Sequence, residues 1–398
     1  MTRRRSAARL LAGGLASLAL AAGLGVGCGG RDEPREIRIG VVAPIEEDSE
    51  VNWRPLEDGI HVVEEEVRRQ GGLRIGERSY PVVFVFASNG DSPEGTVAAA
   101  RRLIHHDGVV ALVGPIMSRN AVVMAMVAEN EGVPMISATA SHPAVFAGKR
   151  FAFSLAASDE VLGRALARLA HGDLGATTGA ALFDVASSYN RGLAEAFRDE
   201  LSALGGAVVA FETYVTGERD FRPQLSRIRD ADPDVVLLPN YMAEVPVQAR
   251  QARELGIRAT LLGGDSWDES LFADVPELDG SYFILNWHPG IEPERSRHFV
   301  EICADLGLDP SEGAALTYDA AGLVLEAIRR TGSLDGETLQ QGLREIEGFR
   351  GVTGTVSLRG PGEPIRDLAI LRLTRGEVEF RGRTRTGPSR RASERHHP

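Results

Sequence analysis

The chain has 398 residues, a formal charge of −12 and 43% hydrophobic residues. That length suits two domains rather than one, and the apolar share is enough for packed cores, which excludes a globally disordered chain. The acidic balance argues against nucleic acid as a partner, because phosphate contacts need a basic face.

The first 28 residues read as an export leader. Arg3, Arg4, Arg5 and Arg9 form a positive start, and Leu10 to Val26 is an apolar run rich in small residues, too short and too rich in Gly and Ala for a lasting membrane span. The leader closes on Gly25-Val26-Gly27-Cys28, which resembles a bacterial lipobox, with Gly25 where Leu or Val is usual. Lipidation of Cys28 and an ordinary leader cut nearby both remain open at this point. The other cysteine, Cys303, lies on the apolar side of a predicted helix and reads as a small core residue.

After a polar linker, residues 29–35, the chain alternates. The stretch EIRIGVVAP predicts a strand, and the spacing of Leu56, Ile60, Val63 and Val67 predicts a helix from about Arg54 to Arg69. YPVVFVFAS, VVALVGP and VPMISA read as strands, separated by the predicted helices PEGTVAAARRLIHH and NAVVMAMVAEN. This succession of βα units implies a parallel sheet covered by helices on both faces. After FAFSLAAS the pattern starts again: VLGRALARLAHG, TGAALFDV, YNRGLAEAFRDELSAL and AVVAFETYV, then FRPQLSRIRD, DVVLLPN, VPVQARQAREL and RATLLGG. A second α/β lobe is the simplest account. SYFILNW is a further extended run, followed by the predicted helices ERSRHFVEICADLG and ALTYDAAGLVLEAIRR and by short strands joined by Gly-rich turns. Residues 381–398, rich in Arg and poor in apolar side chains, are expected to be an unstructured tail.

Several strands end in glycines and hydroxyls. Ser118 follows VVALVGPIM, while Thr139 and Ser141 follow VPMIS. Ligands of open parallel sheets sit beyond the carboxyl ends of the strands, and hydroxyls with helix N–H groups suit an anion; plain helix capping is the competing reading for Ser118. Asp265, in LLGGDSW, is either the N-cap of a short helix or a carboxylate waiting for a cation. Tyr189 and Tyr241 stand at strand ends where aromatics either wall a pocket or pack a rim, and Trp53, in the first βα loop, is large enough to cover a ligand. The chain contains no G-x-S-x-G, Walker A, H-E-x-x-H or C-x-x-C pattern, so nothing in it points to an enzyme, a cofactor or a metal site.

Taken in order, IRIGVVAPI, ASNGDSPEGTVAAARRLIHHDGVVALVGPIMS, GVPMISATAS, SSYNRGLAEAF, LLGGDSW, TYDAAGLVLEAI and GFRGVTGTVSL resemble the branched-chain amino-acid-type substrate-binding proteins of bacterial ABC transporters. The resemblance covers roughly residues 36 to 380. It implies an α/β fold of two doubly wound parallel-sheet lobes joined by a three-strand hinge, the type I periplasmic-binding fold, with lobe 1 from 36–157 and 287–365 and lobe 2 from 158–286 and 366–380. It places Ser118, Thr139 and Ser141 where the first lobe holds a ligand's α-carboxylate and ammonium. Tyr189, Tyr241 and Asp265 fall where the second lobe contributes, with Asp265 as the acid for the ammonium. Ala138-Thr139 departs from the small pair usual after MIS, and that side chain would narrow the pocket. The implied partners are a small polar ligand such as an amino acid, an ABC permease, or alternatively a receptor that reads ligand, and a membrane reached through Cys28.

Overall fold

IRIGVVA is apolar on both faces of the extended chain, as a strand covered by helices on each side must be. In the computed structural model it forms β1 (Ile37–Ala43) at the centre of the first sheet. The structure describes residues 36–46, 52–267, 275–291, 293–358, 364 and 366–385. The leader with Cys28 and the linker 29–35 lie outside them.

The chain runs on through α1 (Arg54–Arg69), the small hairpin β2 (Leu73–Ile75) and β3 (Arg78–Tyr80), then β4 (Val82–Ser88), α2 (Pro93–His105), β5 (Ala111–Val113), α3 (Ser118–Glu131), β6 (Met135–Ser137) and β7 (Ala152–Ser154). Among the described residues the first sheet is five-stranded and wholly parallel, in the order β4-β1-β5-β6-β7. The chain leaves β1 for one side, then returns past it to β5 on the other. The strand order therefore reverses at β1, and a crevice opens there beyond the strand ends.

The second lobe repeats the device. It contains α4 (Asp159–Arg168), β8 (Thr178–Asp184), α5 (Ser188–Ala203), β9 (Ala207–Tyr214), α6 (Arg222–Ala231), β10 (Val235–Leu237), α7 (Val245–Glu254), β11 (Thr260–Gly263) and β12 (Tyr282–Leu285). Three helices then return to the first lobe: α8 (Pro293–Leu306), α9 (Glu312–Thr331) and α10 (Gly336–Arg344), followed by the hairpin β13 (Phe349–Gly351) and β14 (Gly354–Val356). The closing strands β15 (Asp367–Thr374) and β16 (Glu377–Arg385) join the second sheet, whose order is β16-β15-β12-β11-β10-β8-β9.

This second sheet is not parallel throughout. β15 pairs antiparallel with β12, and β16 pairs antiparallel with β15 through a two-residue turn at Arg375 and Gly376, both with positive φ. A turn that short can only reverse the chain; a parallel neighbour needs a long crossover. Residues 381–385, expected to belong to an unstructured tail, instead complete β16 against Asp367–Ile370; residues 386–398 lie outside the description. Helix α10 and the β2–β3 hairpin have no counterpart in the sequence-based expectation. α10 has only Leu339 and Leu343 as buried large apolar residues, and it starts at an Asp335 cap that accepts from Thr338 N–H at 3.0 Å.

Each sheet has cores on both faces. In the first lobe, Ile37, Ile39 and Val41 face α1 and α9, while Val42 and Leu112 face α2 and α3. In the second, Leu182, Val236 and Phe283 face α6 and α7, while Ala181, Leu237 and Ile284 face α4 and α5. The chain passes between the sheets after β7, after β12 and before β15, and one side chain ties these passages together. Arg366, 3% exposed, donates to the carbonyls of Leu155 (2.7 Å), Asn286 (2.6 Å) and Thr353 (3.3 Å). Burial pushes its pKa down to about 10, opposed by the charges of Glu312, Asp319 and Asp265, so it stays a cation at neutral pH. Removing one partner from such a network typically costs about 3–5 kcal/mol. Arg366→Ala should therefore unfold at a clearly lower urea concentration; a loss below about 1 kcal/mol would show that the passages stand without it.

Candidate functional site

The order of the second sheet sets the first half of the site. β8, β10 and β11 are neighbours, so the loops that follow them emerge side by side. Tyr189 is the second residue of α5, after Ser187 caps that helix through the Asn190 N–H. Tyr241 follows β10, and the two phenol rings lie 5.5 Å apart with 30° between their planes. A buried amide chain holds both loops: Asn190 Nδ2 donates to Asn240 Oδ1 (2.8 Å), and Asn240 Nδ2 donates to the Leu182 carbonyl and to Gln248 Oε1 (2.8 Å each).

Asp265 follows β11. The two glycines before it exist for close approach: a Cβ on Gly263 would lie 2.1 Å from the Trp267 indole, and one on Gly264 would lie 2.6 Å from the Tyr189 hydroxyl. The turn is pinned by Ser266 Oγ donating to the Asn240 carbonyl (2.9 Å) and Trp267 Nε1 donating to the Leu238 carbonyl (3.1 Å). Asp265 Oδ1 accepts from the Tyr189 hydroxyl (2.8 Å), and Oδ2 accepts from Asn286 Nδ2 (2.9 Å). Its two side-chain oxygens thus face hydrogen-bond donors from α5 and from the end of β12. Residues 268–274, where a capped helix would begin, lie outside the described residues.

The first lobe contributes from the ends of β5 and β6. Ser118 is the first residue of α3, and its hydroxyl does not cap the helix; it accepts from the His142 N–H at 3.4 Å. Thr139 turns its hydroxyl back onto the Ile116 carbonyl (3.2 Å). Ser141, 1% exposed, receives the Asp159 N–H on its carbonyl (3.2 Å), so the start of α4 is tied to the β6 loop. The two lobes meet here. Burial raises the Tyr241 phenol, while Ser187 and the charge of Arg119 on α3 pull it down. Burial and the charge of Arg191 on α5 lower His142. Ser141, Tyr189, Tyr241 and Asp265 thus fall in one region, with Ser118 beside it through His142. Trp53, partly buried, packs against the first core, with the Arg54 guanidinium 4.8 Å from the centre of its ring.

Three site residues escaped the sequence reading. Asp159 is fully buried, and among the described residues neither of its carboxylate oxygens meets a donor at hydrogen-bonding geometry. Burial pushes its pKa well above the usual carboxylate range; the nearby Ser141 hydroxyl opposes this, and the Asp265 and Glu160 charges add to it. Burial likewise raises Asp265 to about 6, against the pull of Tyr189 and Asn286. Glu312, at the start of α9, is raised well above its ordinary value by burial and by Asp265, while the Asn286 N–H and Arg366 lower it. Charge at isolated positions such as 159 and 312 carries no pattern that a sequence reading registers. Asn286 was visible only as the end of SYFILNW.

Asp159, Asp265 and Glu312 together leave the junction short of positive charge, with Arg366 the cation that acts on the last two. Asp159 is enclosed, while Asp265 and Glu312 are half-buried; carboxylates withdrawn from water without cations are costly. The arrangement therefore favours a ligand that brings a positive group, with hydroxyls from the first lobe and aromatic walls from the second around it.

A family model described as periplasmic binding protein matches residues 36–377. The Leu/Ile/Val-binding protein BraC3 of Rhizobium johnstonii is 26% identical over 332 residues, covering 82% of this chain and 89% of that protein. The crystal structure of the leucine-binding protein LivK of Thermotoga maritima is 28% identical, with a TM-score of 0.81, over 88% of this chain and 99% of that one. That of LivJ, a branched-chain amino acid transporter substrate-binding protein of Streptococcus pneumoniae in complex with isoleucine, is 25% identical, with a TM-score of 0.79, over 89% and 100%.

The raised carboxyl of Asp159 gives a stability test. An acid whose folded pKa lies above its unfolded value loses its stabilising contribution as pH rises through the folded pKa. Asp159→Asn keeps the shape without the charge. It should melt higher than the parent at pH 8 when ligand-free, with the gain shrinking at pH 4. A lower melting temperature at pH 8 would mean that the carboxylate is stabilised where it lies.

Proposed function

Because the chain belongs to the periplasmic binding protein family and takes its type I form, we propose that it captures an amino acid or a closely related small zwitterion between its two lobes for delivery to an ABC permease. The observation that supports this most is Asp265. It is a carboxylate just past the end of β11, held between Tyr189 and Asn286, and among the described residues Arg366 is the cation that acts on it. An α-ammonium fits that place, and the hydroxyls of Ser118, Thr139 and Ser141 with the N–H groups at the start of α3 suit the α-carboxylate. Tyr189 and Tyr241 wall the side-chain end. Trp53 would reach the ligand from the mouth of the first lobe.

The relatives named for leucine, isoleucine and valine make aliphatic amino acids the first compounds to try. The family is one of exported proteins. On the sequence of the leader we further propose that Cys28 carries a lipid that holds the protein at the outer face of a membrane. Among the described residues no helix is long and apolar enough to cross one.

The sign of the pH dependence follows from Asp265. Its carboxyl must be ionised to pair with an ammonium, and its ligand-free pKa is about 6. Affinity should be flat above pH 7 and fall on acidification, by roughly tenfold near pH 5, with proton release on binding around pH 6. Titration calorimetry with leucine, isoleucine and valine checks this. Asp265→Asn should weaken binding at neutral pH by about a hundredfold or more and flatten the profile, since loss of one member of an enclosed pair costs about 3 kcal/mol or more. Unchanged affinity in that variant would overturn the role of Asp265, and a panel of amino acids that never shifts the melting temperature would overturn the ligand class.

A further inference from the structure

Asn286 occupies the first position past β12 and is fully buried. Its side chain has two ends with opposite roles. Oδ1 accepts from the Ala157 N–H (2.8 Å), in the first passage between the lobes. Nδ2 donates to Asp265 Oδ2 (2.9 Å), in the second lobe's part of the site. Its backbone is engaged as well. The N–H donates to Glu312 Oε1 at the start of α9, and the carbonyl accepts from Arg366 Nη2 (2.6 Å), in the third passage. One residue therefore touches all three passages, a helix of the first lobe and the acid of the proposed site.

We propose that Asn286 is the positioning residue of this site: it aims the Asp265 carboxylate and couples that aim to the angle between the lobes. The inference takes Asp265 as the ligand's acid from the proposed function. With Tyr189 on one oxygen and Asn286 on the other, the carboxylate plane is fixed before any ligand arrives, so less ordering is needed on binding. A rotation of the lobes moves Ala157 relative to Asp265, and Asn286 cannot follow both. Opening must break one of its side-chain bonds, and a cation on Asp265 shifts the balance between them. The amide suits the place because it donates at one end and accepts at the other; an ionised carboxylate accepts only, and an aliphatic side chain does neither. Among the described residues, the charged and titratable groups that face Asp265 are Tyr189 on α5, Tyr241 beyond β10, Asp159 on α4, Glu312 on α9 and Arg366.

The test is made without ligand, so that it can fail independently of the ligand class. The Asp265 carboxyl is followed by carbon-13 NMR on the whole protein, its resonance identified by its loss in Asp265→Asn. A hydrogen bond to the ionised form favours that form. In Asn286→Ala the titration midpoint should therefore rise from near 6 by about one pH unit. Spin labels at His106→Cys on the first lobe and Asp230→Cys on the second should report a broader spread of lobe distances in the same variant. If Asn286 only fills space, the variant melts lower while the midpoint and the distance spread stay as in the parent, and the proposal falls. Should Asn286→Ala not fold, Asn286→Asp keeps the acceptor for Ala157 and the volume. Its Asp265 midpoint should rise still further, because a donor is replaced by a further acid, and an unmoved midpoint there overturns the proposal equally.

Discussion

Arg366 is the constraint on which the two-lobed arrangement rests. Its guanidinium is planar and presents several donors in fixed directions, and the carbonyls of Leu155, Asn286 and Thr353 take three of the bonds it makes. These carbonyls belong to chain segments far apart in sequence. Those of Leu155 and Asn286 lie where the chain leaves one sheet for the other, and that of Thr353 lies in the turn of the β13–β14 hairpin. A buried cation needs compensation, and it is supplied by Glu312, Asp319 and Asp265. Asp319 in turn accepts the N–H groups of Val352 (2.9 Å) and Thr353 (2.8 Å), which fixes the β13–β14 hairpin over α9. Packing, hinge and site are therefore one electrostatic unit.

That unit carries more acid than base. Arg366 faces Asp265, Glu312 and Asp319, and Asp159 adds a fourth carboxyl nearby, with the Ser141 hydroxyl beside it. Such a cluster either takes up protons more readily than free carboxyls do or holds a cation among its members. The upward shifts of Asp159, Asp265 and Glu312, caused first by burial, express the first. The second is the physical basis for reading the junction as a ligand site. Affinity for a cationic group and ligand-free strain are then two sides of the same charge excess.

The site also depends on a topological feature found twice. In each lobe the strand order reverses beside the first strand of the sheet, and loops from adjacent strands emerge next to one another. This places Ser118 near Ser141 in the first lobe and Tyr189 near Tyr241 and Asp265 in the second. The lobes then bring these two groups together because the start of α4, at Asp159, is bonded back to Ser141 in the β6 loop.

Much of this was legible in the sequence. The period of the apolar residues determined the succession of strands and helices, with α1 expected and found at Arg54 to Arg69, because burial on one face leaves a periodic trace in the chain itself. Strand-end hydroxyls, the tyrosines and Asp265 stood out for the same local reason: each follows an apolar run at the end of a strand. The two glycines before Asp265 read as room for a close approach, and only the fold shows that they admit Trp267 and Tyr189. The antiparallel edge of the second sheet, the extension of β16 to Arg385 and helix α10 were decided by pairing and packing with distant segments. So were the roles of Asp159, Asn286, Glu312 and Arg366. Their partners lie far along the chain, at 265 for Asp159, at 157 and 265 for Asn286, and at 155 and 286 for Arg366. A local pattern encodes what a residue does to its own helix or strand; it does not encode which remote carbonyl or carboxylate will lie within 3 Å of it, and that distance is set by the tertiary structure alone.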